Sequence, residues 1–89
     1  MKYILDIDYS EEEHIFLKKN NCEVISEIEL SKTDFKEIPR RVIKYGRQYI
    51  AEIIDVETDE IVWVTLSKWK GVWHLSSCYN SLENMTRGI

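Results

Sequence analysis

From Gln48 to Ser77 the apolar residues fall into three short runs, each closed by polar or turn-forming residues. The runs are Gln48-Tyr-Ile-Ala-Glu-Ile-Ile-Asp-Val56, Ile61-Val-Trp-Val-Thr-Leu66 and Val72-Trp-His-Leu-Ser-Ser77. Rich in β-branched and aromatic residues, they predict a three-stranded antiparallel meander. Glu57-Thr-Asp-Glu60 suits a four-residue hairpin loop and Ser67-Lys-Trp-Lys-Gly71 a longer one. In the middle run Ile61, Trp63 and Thr65 point one way and Val62, Val64 and Leu66 the other. Both sides are apolar apart from Thr65, as expected of a central strand covered on both faces, or covered on one of them by a partner.

Upstream, Tyr3, Leu5 and Ile7 alternate with Ile4, Asp6 and Asp8, which predicts a first strand. Ser10 with Glu13 forms a capping box, and Glu11 to Glu13 suit the positive end of a helix dipole. Lys18 and Lys19 fit the opposite end, and Asn20-Asn21 can stop the helix in the left-handed conformation. A helix from Glu11 to about Asn20 follows. Its apolar residues are only Ile15, Phe16 and Leu17, so packing must hold it. Val24, Ser26, Ile28 and Leu30 alternate with Glu23, Ile25, Glu27 and Glu29, predicting one further strand with an acidic outer face. The strand–helix–strand order permits an antiparallel return or a right-handed parallel crossover, and the segment lengths lean towards the crossover. In residues 31–46, Pro39 disfavours helix at Ile38 and can itself open a new turn. Arg40 to Tyr45 fits a helix closed by Gly46 or a strand; the short helix is the expectation. Asn80-Ser-Leu-Glu83 repeats the capping pattern, with Leu82 and Met85 placed to pin a short helix ending at Gly88. The whole chain, residues 1–89, reads as one small α+β domain. Its sheet is mostly antiparallel, with about five strands (β-α-β, then the three-stranded meander) and one or two short helices packed on it.

Composition narrows the class. The chain of 89 residues, 44% hydrophobic and 31% charged, is not that of a disordered protein. No apolar run reaches the roughly 18–20 residues that span a bilayer, so no membrane association is expected. The acid at Asp6 interrupts any export signal, which makes the cytoplasm the expected location and Cys22 and Cys78 reduced thiols. The net charge of −4 hides blocks: residues 36–50 carry +4, whereas residues 1–35 and 51–60 carry −5 each.

Candidate chemistry is sparse. His14, His74, Cys22 and Cys78 lack the close pairs of a zinc site. Cys78 follows His74 by four residues, about 13 Å along a strand. The three glycines are isolated, so no phosphate-cradling loop exists. Asp6 and Asp8 after Tyr3-Ile-Leu resemble the strand-end aspartate pair of haloacid-dehalogenase-type phosphatases. That motif requires a far longer body, and the pair reads as solvent-facing acids before a helix. No enzyme, metal or cofactor is expected.

Binding is the remaining theme. On a helix Arg40 and Lys44 would share a face with Arg47 one turn on, and Lys68-Trp69-Lys70 would add an aromatic ring between two ammonium groups. The competing reading has these bases neutralise the chain's own acids. Trp69, between two charges at a hairpin turn, is either a contact residue or a cap on the small core. The acidic faces around Glu23, Glu27, Glu29 and residues 52–60 could engage a basic partner or imitate phosphates. The expected function is a small non-enzymatic protein-binding module, such as an inhibitor or regulatory protein, with contact residues Trp69, Lys68, Lys70, Arg40, Arg41, Lys44 and Arg47. Nucleic-acid binding through the same residues is the alternative, disfavoured by net charge. An uncovered strand edge leaves room for a homodimer.

Overall fold

The computed structural model describes residues 2–84. Its elements are β1 (Lys2–Ile4), α1 (Glu11–Lys19), β2 (Glu23–Ile25), β3 (Glu27–Glu29), β4 (Arg41–Tyr45), β5 (Gln48–Ile54), β6 (Ile61–Trp69) and β7 (Val72–Tyr79). Five strands form one antiparallel sheet in the order β2-β4-β5-β6-β7, and β1 pairs with β3 in a separate two-stranded ribbon. The α+β class and the antiparallel sheet agree with the hydrophobic pattern.

The sheet is covered on both faces. Val42, Ala51, Ile53, Val62, Val64 and Leu66 pack against Leu5, Ile28 and Leu30 of the ribbon side. On the opposite face Ile43, Ile50 and Trp63 pack against Leu17, Tyr9 and Leu82. Adjacent residues of β4, β5 and β6 therefore serve opposite cores, and Val42, Ile43, Ile50 and Ala51 are fully buried. This explains the apolar character of both sides of β6.

Helix α1 forms as its ends predict. The Ser10 hydroxyl accepts the Glu13 N–H, and the Glu13 carboxylate accepts the Ser10 N–H. Asn21, at φ 55°, turns the chain out of the helix. Near the other end of the chain the Ser81 hydroxyl accepts the Asn84 N–H, starting a helical turn at 82–84. The remainder of the expected C-terminal helix, Met85 to Gly88, lies outside the described residues.

Four expectations need correcting. Residues 23–30 are not one strand: the chain bends at Ser26, so β2 joins the large sheet and β3 the ribbon. Val24 thereby faces the helix-side core while Ile28 and Leu30 face the other. Nor is the strand–helix–strand unit parallel, because β1 meets β3, and β2 meets β4, antiparallel. Residues 31–46 hold no helix. Residues 35–39 are irregular, and Arg41–Tyr45 is a strand whose Val42 and Ile43 fill both cores, a burial that a short helix could not give. The meander consequently has four strands, β4 to β7.

The second hairpin loop is also tighter than expected. Pairing continues to Trp69↔Val72, leaving only Lys70 and Gly71 at φ 52° and 80°. Positive φ at both central residues is the type I′ geometry that matches strand twist. The first hairpin loop is longer, spanning residues 55–60, with the Asp55 N–H donating to Glu60 O. A register shift beside Val64/Thr65, with Ser77 at φ 51°, inserts one residue into β7. The bulge brings Tyr79 opposite Trp63 and so onto the helix-side core.

Candidate functional site

Arg41 starts β4 opposite Glu52 of β5. Its Nε donates to Glu52 Oε1 at 2.8 Å and its Nη2 to Glu52 Oε2 at 2.6 Å. Helix α1 delivers Glu13, which accepts from Nη1 at 3.1 Å and Nη2 at 2.9 Å. The carbonyl of Asp8 takes the remaining Nη1 hydrogen at 3.0 Å. All five guanidinium N–H groups are thus consumed within the fold. The plane of Arg41 lies over the Tyr9 ring at 4.5 Å and near Trp63 at 5.5 Å. Hydrogen bonds to Glu52, then to Glu13, hold its proton more tightly than usual despite burial. Burial opposes ionisation of Glu13, but hydrogen bonds from Arg41 and Ser10 outweigh it and lower its pKa. Tyr9 is pushed up to about 12, chiefly by burial. Among the described residues its hydroxyl has no hydrogen-bond partner.

A cleft of about 450 Å³ lies beside this cluster, walled by Phe16, Ile61, Trp63 and Leu82 with Glu12 and Glu83 at its margin. Arg41, counted among the binding candidates, has no donor left for a ligand here. It acts as the tie between helix and sheet.

The remaining basic candidates separate. Arg40 is exposed at the start of β4, its N–H bonded to Glu52 O, at the end of the sheet that also carries the acidic 55–60 loop. Lys44, Arg47, Lys68 and Lys70 lie at the opposite end, where the β4–β5 and β6–β7 turns sit side by side. The helix that would have put Arg40 and Lys44 on one face does not exist; a strand places them at different ends.

At this basic end each lysine lies over an aromatic ring. Lys44 Nζ is 5.7 Å from the Tyr49 centroid, Lys68 Nζ 5.8 Å from Trp73, and Lys70 Nζ 4.6 Å from Trp69. Among the described residues none of these three lysines, nor Arg47, has a carboxylate within ion-pair distance. Trp69 is 64% exposed at the last position of β6. It leaves from the helix side of the sheet, whereas Lys68 and Trp73 face the ribbon side, so the patch wraps the sheet's end. Trp63 is buried and Trp73 half-buried against the ribbon-side core.

Two contacts had no sequence signal. His74 Nδ1 meets Asp34 Oδ2 at 2.6 Å, 40 positions away in the chain, where segment 32–34 lies parallel to β7 at Trp73. Among the described residues His74 Nε2 is buried without a hydrogen-bond partner. The Glu13–Arg41 contact is equally unforeseeable, because it depends on docking of the helix. Asp6, by contrast, accepts the Asp8 N–H in a local turn.

Among the described residues no group of three or more His, Cys, Asp or Glu is placed to hold a metal, and no helix is long and apolar enough to cross a membrane. No family model matches the chain, and no curated protein or solved structure is significantly similar to it.

Proposed function

We propose that the chain is a small non-enzymatic protein-binding module, of the inhibitor or regulatory kind, that meets its macromolecular partner with the Trp69 end of the sheet. The observation that carries this reading is the 64% exposure of Trp69 on a paired strand beside a two-residue turn. Strand pairing fixes the Trp69 backbone before binding, and tryptophan is enriched at interface hot spots. The test is recovery of partners from the source cell on immobilised wild type and Trp69→Ala. Loss of a specific partner with the variant is expected, and equal recovery of every partner removes Trp69 from the reading.

The three lysine–ring pairs favour a second reading, single-stranded nucleic acid, in which rings stack bases and lysines meet phosphates. It predicts a mobility shift at about 50 mM salt that weakens steeply as salt rises.

A further inference from the structure

The charges of this domain are sorted along the strand axis. Asp55, Glu57, Asp59 and Glu60 occupy the β5–β6 loop at one end, and Glu12 and Glu13 of α1 line a cleft with Ile61, the residue that follows that loop. Lys44, Arg47, Lys68 and Lys70 occupy the other, towards which the C-terminal Lys18 and Lys19 of α1 also run. Neighbouring strands lie about 4.8 Å apart, so the cations of β4 to β6 crowd into a patch on the order of 10 Å wide. In a chain with 16 acids and 12 bases, four clustered cations without an ion pair among the described residues are notable. Arg41, on the same β4 strand, shows the contrast: it is completely paired.

We infer that the surface docking on this end is an acidic protein segment, rich in Asp and Glu, with an apolar side chain lying on Trp69. The inference rests on the protein-binding reading above and specifies its partner. Carboxylates on that segment take up the four cations, while the acidic far end of the domain repels the same segment and orients its approach. A compact acidic segment can cover the patch alone. Glu23 lies opposite Lys44, and Glu27 and Glu29 share a cleft with Lys68. A segment short enough to sit on the β4–β5 and β6–β7 turns, at Arg47, Lys70 and Trp69, avoids these acids, whereas a strand of several nucleotides runs past them. That difference favours protein.

The experiment is an amide-resonance titration of the labelled full chain with three probes. They are an Asp/Glu-rich peptide containing one Phe, the same peptide with Asn/Gln in place of its acids, and oligothymidylate, each at about 50 and 200 mM salt, the range over which screening acts strongly. The acidic peptide is expected to move the amides of Tyr45 to Gln48 and Trp69 to Val72 and the Trp69 indole, less so at the higher salt. The neutral peptide is expected to leave them in place. The triple variant Lys44→Gln, Lys68→Gln, Lys70→Gln, with an unchanged melting temperature, is expected to bind the acidic peptide about tenfold more weakly, from roughly twofold per exposed charge pair. Equal shifts with the neutral peptide, no shift with the acidic one, or an unaffected triple variant overturn the inference. If a cellular partner still depends on Trp69 but binds the triple variant as well as wild type, only the acidic character of the partner falls. If oligothymidylate alone moves these resonances, the protein-binding reading falls with it.

Discussion

Arg41 and Glu52 face each other across the β4–β5 ladder and share two hydrogen bonds, at 2.8 and 2.6 Å, while the same guanidinium reaches Glu13 on α1. One arginine therefore joins the sheet, the helix and the loop carrying Asp8. Removing it leaves two carboxylates close together, one of them 96% buried. Arg41→Ala is expected to destabilise by about 3–5 kcal/mol. Arg41→Met combined with Glu52→Leu is expected to recover much of that loss, because it removes the buried charge with its partner. Urea melts of wild type, Arg41→Ala, Arg41→Met, Glu52→Leu and the double variant measure both effects.

Tyr9 gives a pH signature. Its folded pKa lies above the unfolded value, so its contribution is fully present below pH 10 and is lost as pH rises towards about 12. The loss expected over that span is roughly 2–3 kcal/mol. Tyr9→Phe is expected to flatten the alkaline slope. At pH 7 it should change stability little, because the hydroxyl it removes has no partner among the described residues. Glu13 acts in the opposite sense. Its pKa is lowered, so its contribution is present above the ordinary carboxylate range and disappears as pH falls through its folded pKa. Melting curves against pH for wild type, Tyr9→Phe and Glu13→Gln check both directions.

Gly71 sits at φ 80° with no atom within 4 Å of where a Cβ would stand. The cost of Gly71→Ala is therefore conformational, about 1 kcal/mol. Lys70→Asn, at φ 52°, is expected to stabilise by a few tenths of a kcal/mol, since asparagine tolerates this region better. Denaturant midpoints of the two variants should move in opposite directions.

The thiols should react unequally. Cys78 is exposed, whereas Cys22 is partly covered and burial pushes its pKa up. A chromogenic disulfide reagent at pH 8 is expected to label Cys78 first, with Cys22 slower, and Cys78→Ser should abolish the fast phase.

Trp69 should stand apart spectroscopically as well. With 64% exposure against 5% for Trp63, it is expected to account for most acrylamide quenching. Trp69→Ala should remove that component and shift stability by less than about 0.5 kcal/mol.

Local chemistry in the sequence determined the ends of α1, the existence of the last three strands and the apolar character of both sides of β6. Each rests on interactions spanning a few residues: a cap, an alternation, a glycine at a turn. Only the tertiary structure decided where residues 23–29 and 41–45 belong. In Val24 to Leu30 the only irregularity is the apolar pair Val24-Ile25 followed by the polar pair Ser26-Glu27, too slight by itself to mark Ser26 as the point where the chain passes from one sheet to another. Arg40 to Tyr45 is compatible with helix or strand until the cores on both faces claim Val42 and Ile43. That choice also sorted the basic residues. As a strand, 41–45 carries Arg41 to the acidic cluster at one end and Lys44 to the patch at the other. Burial on two faces is a property of the assembled layers, and the separation of charge along the sheet follows from it.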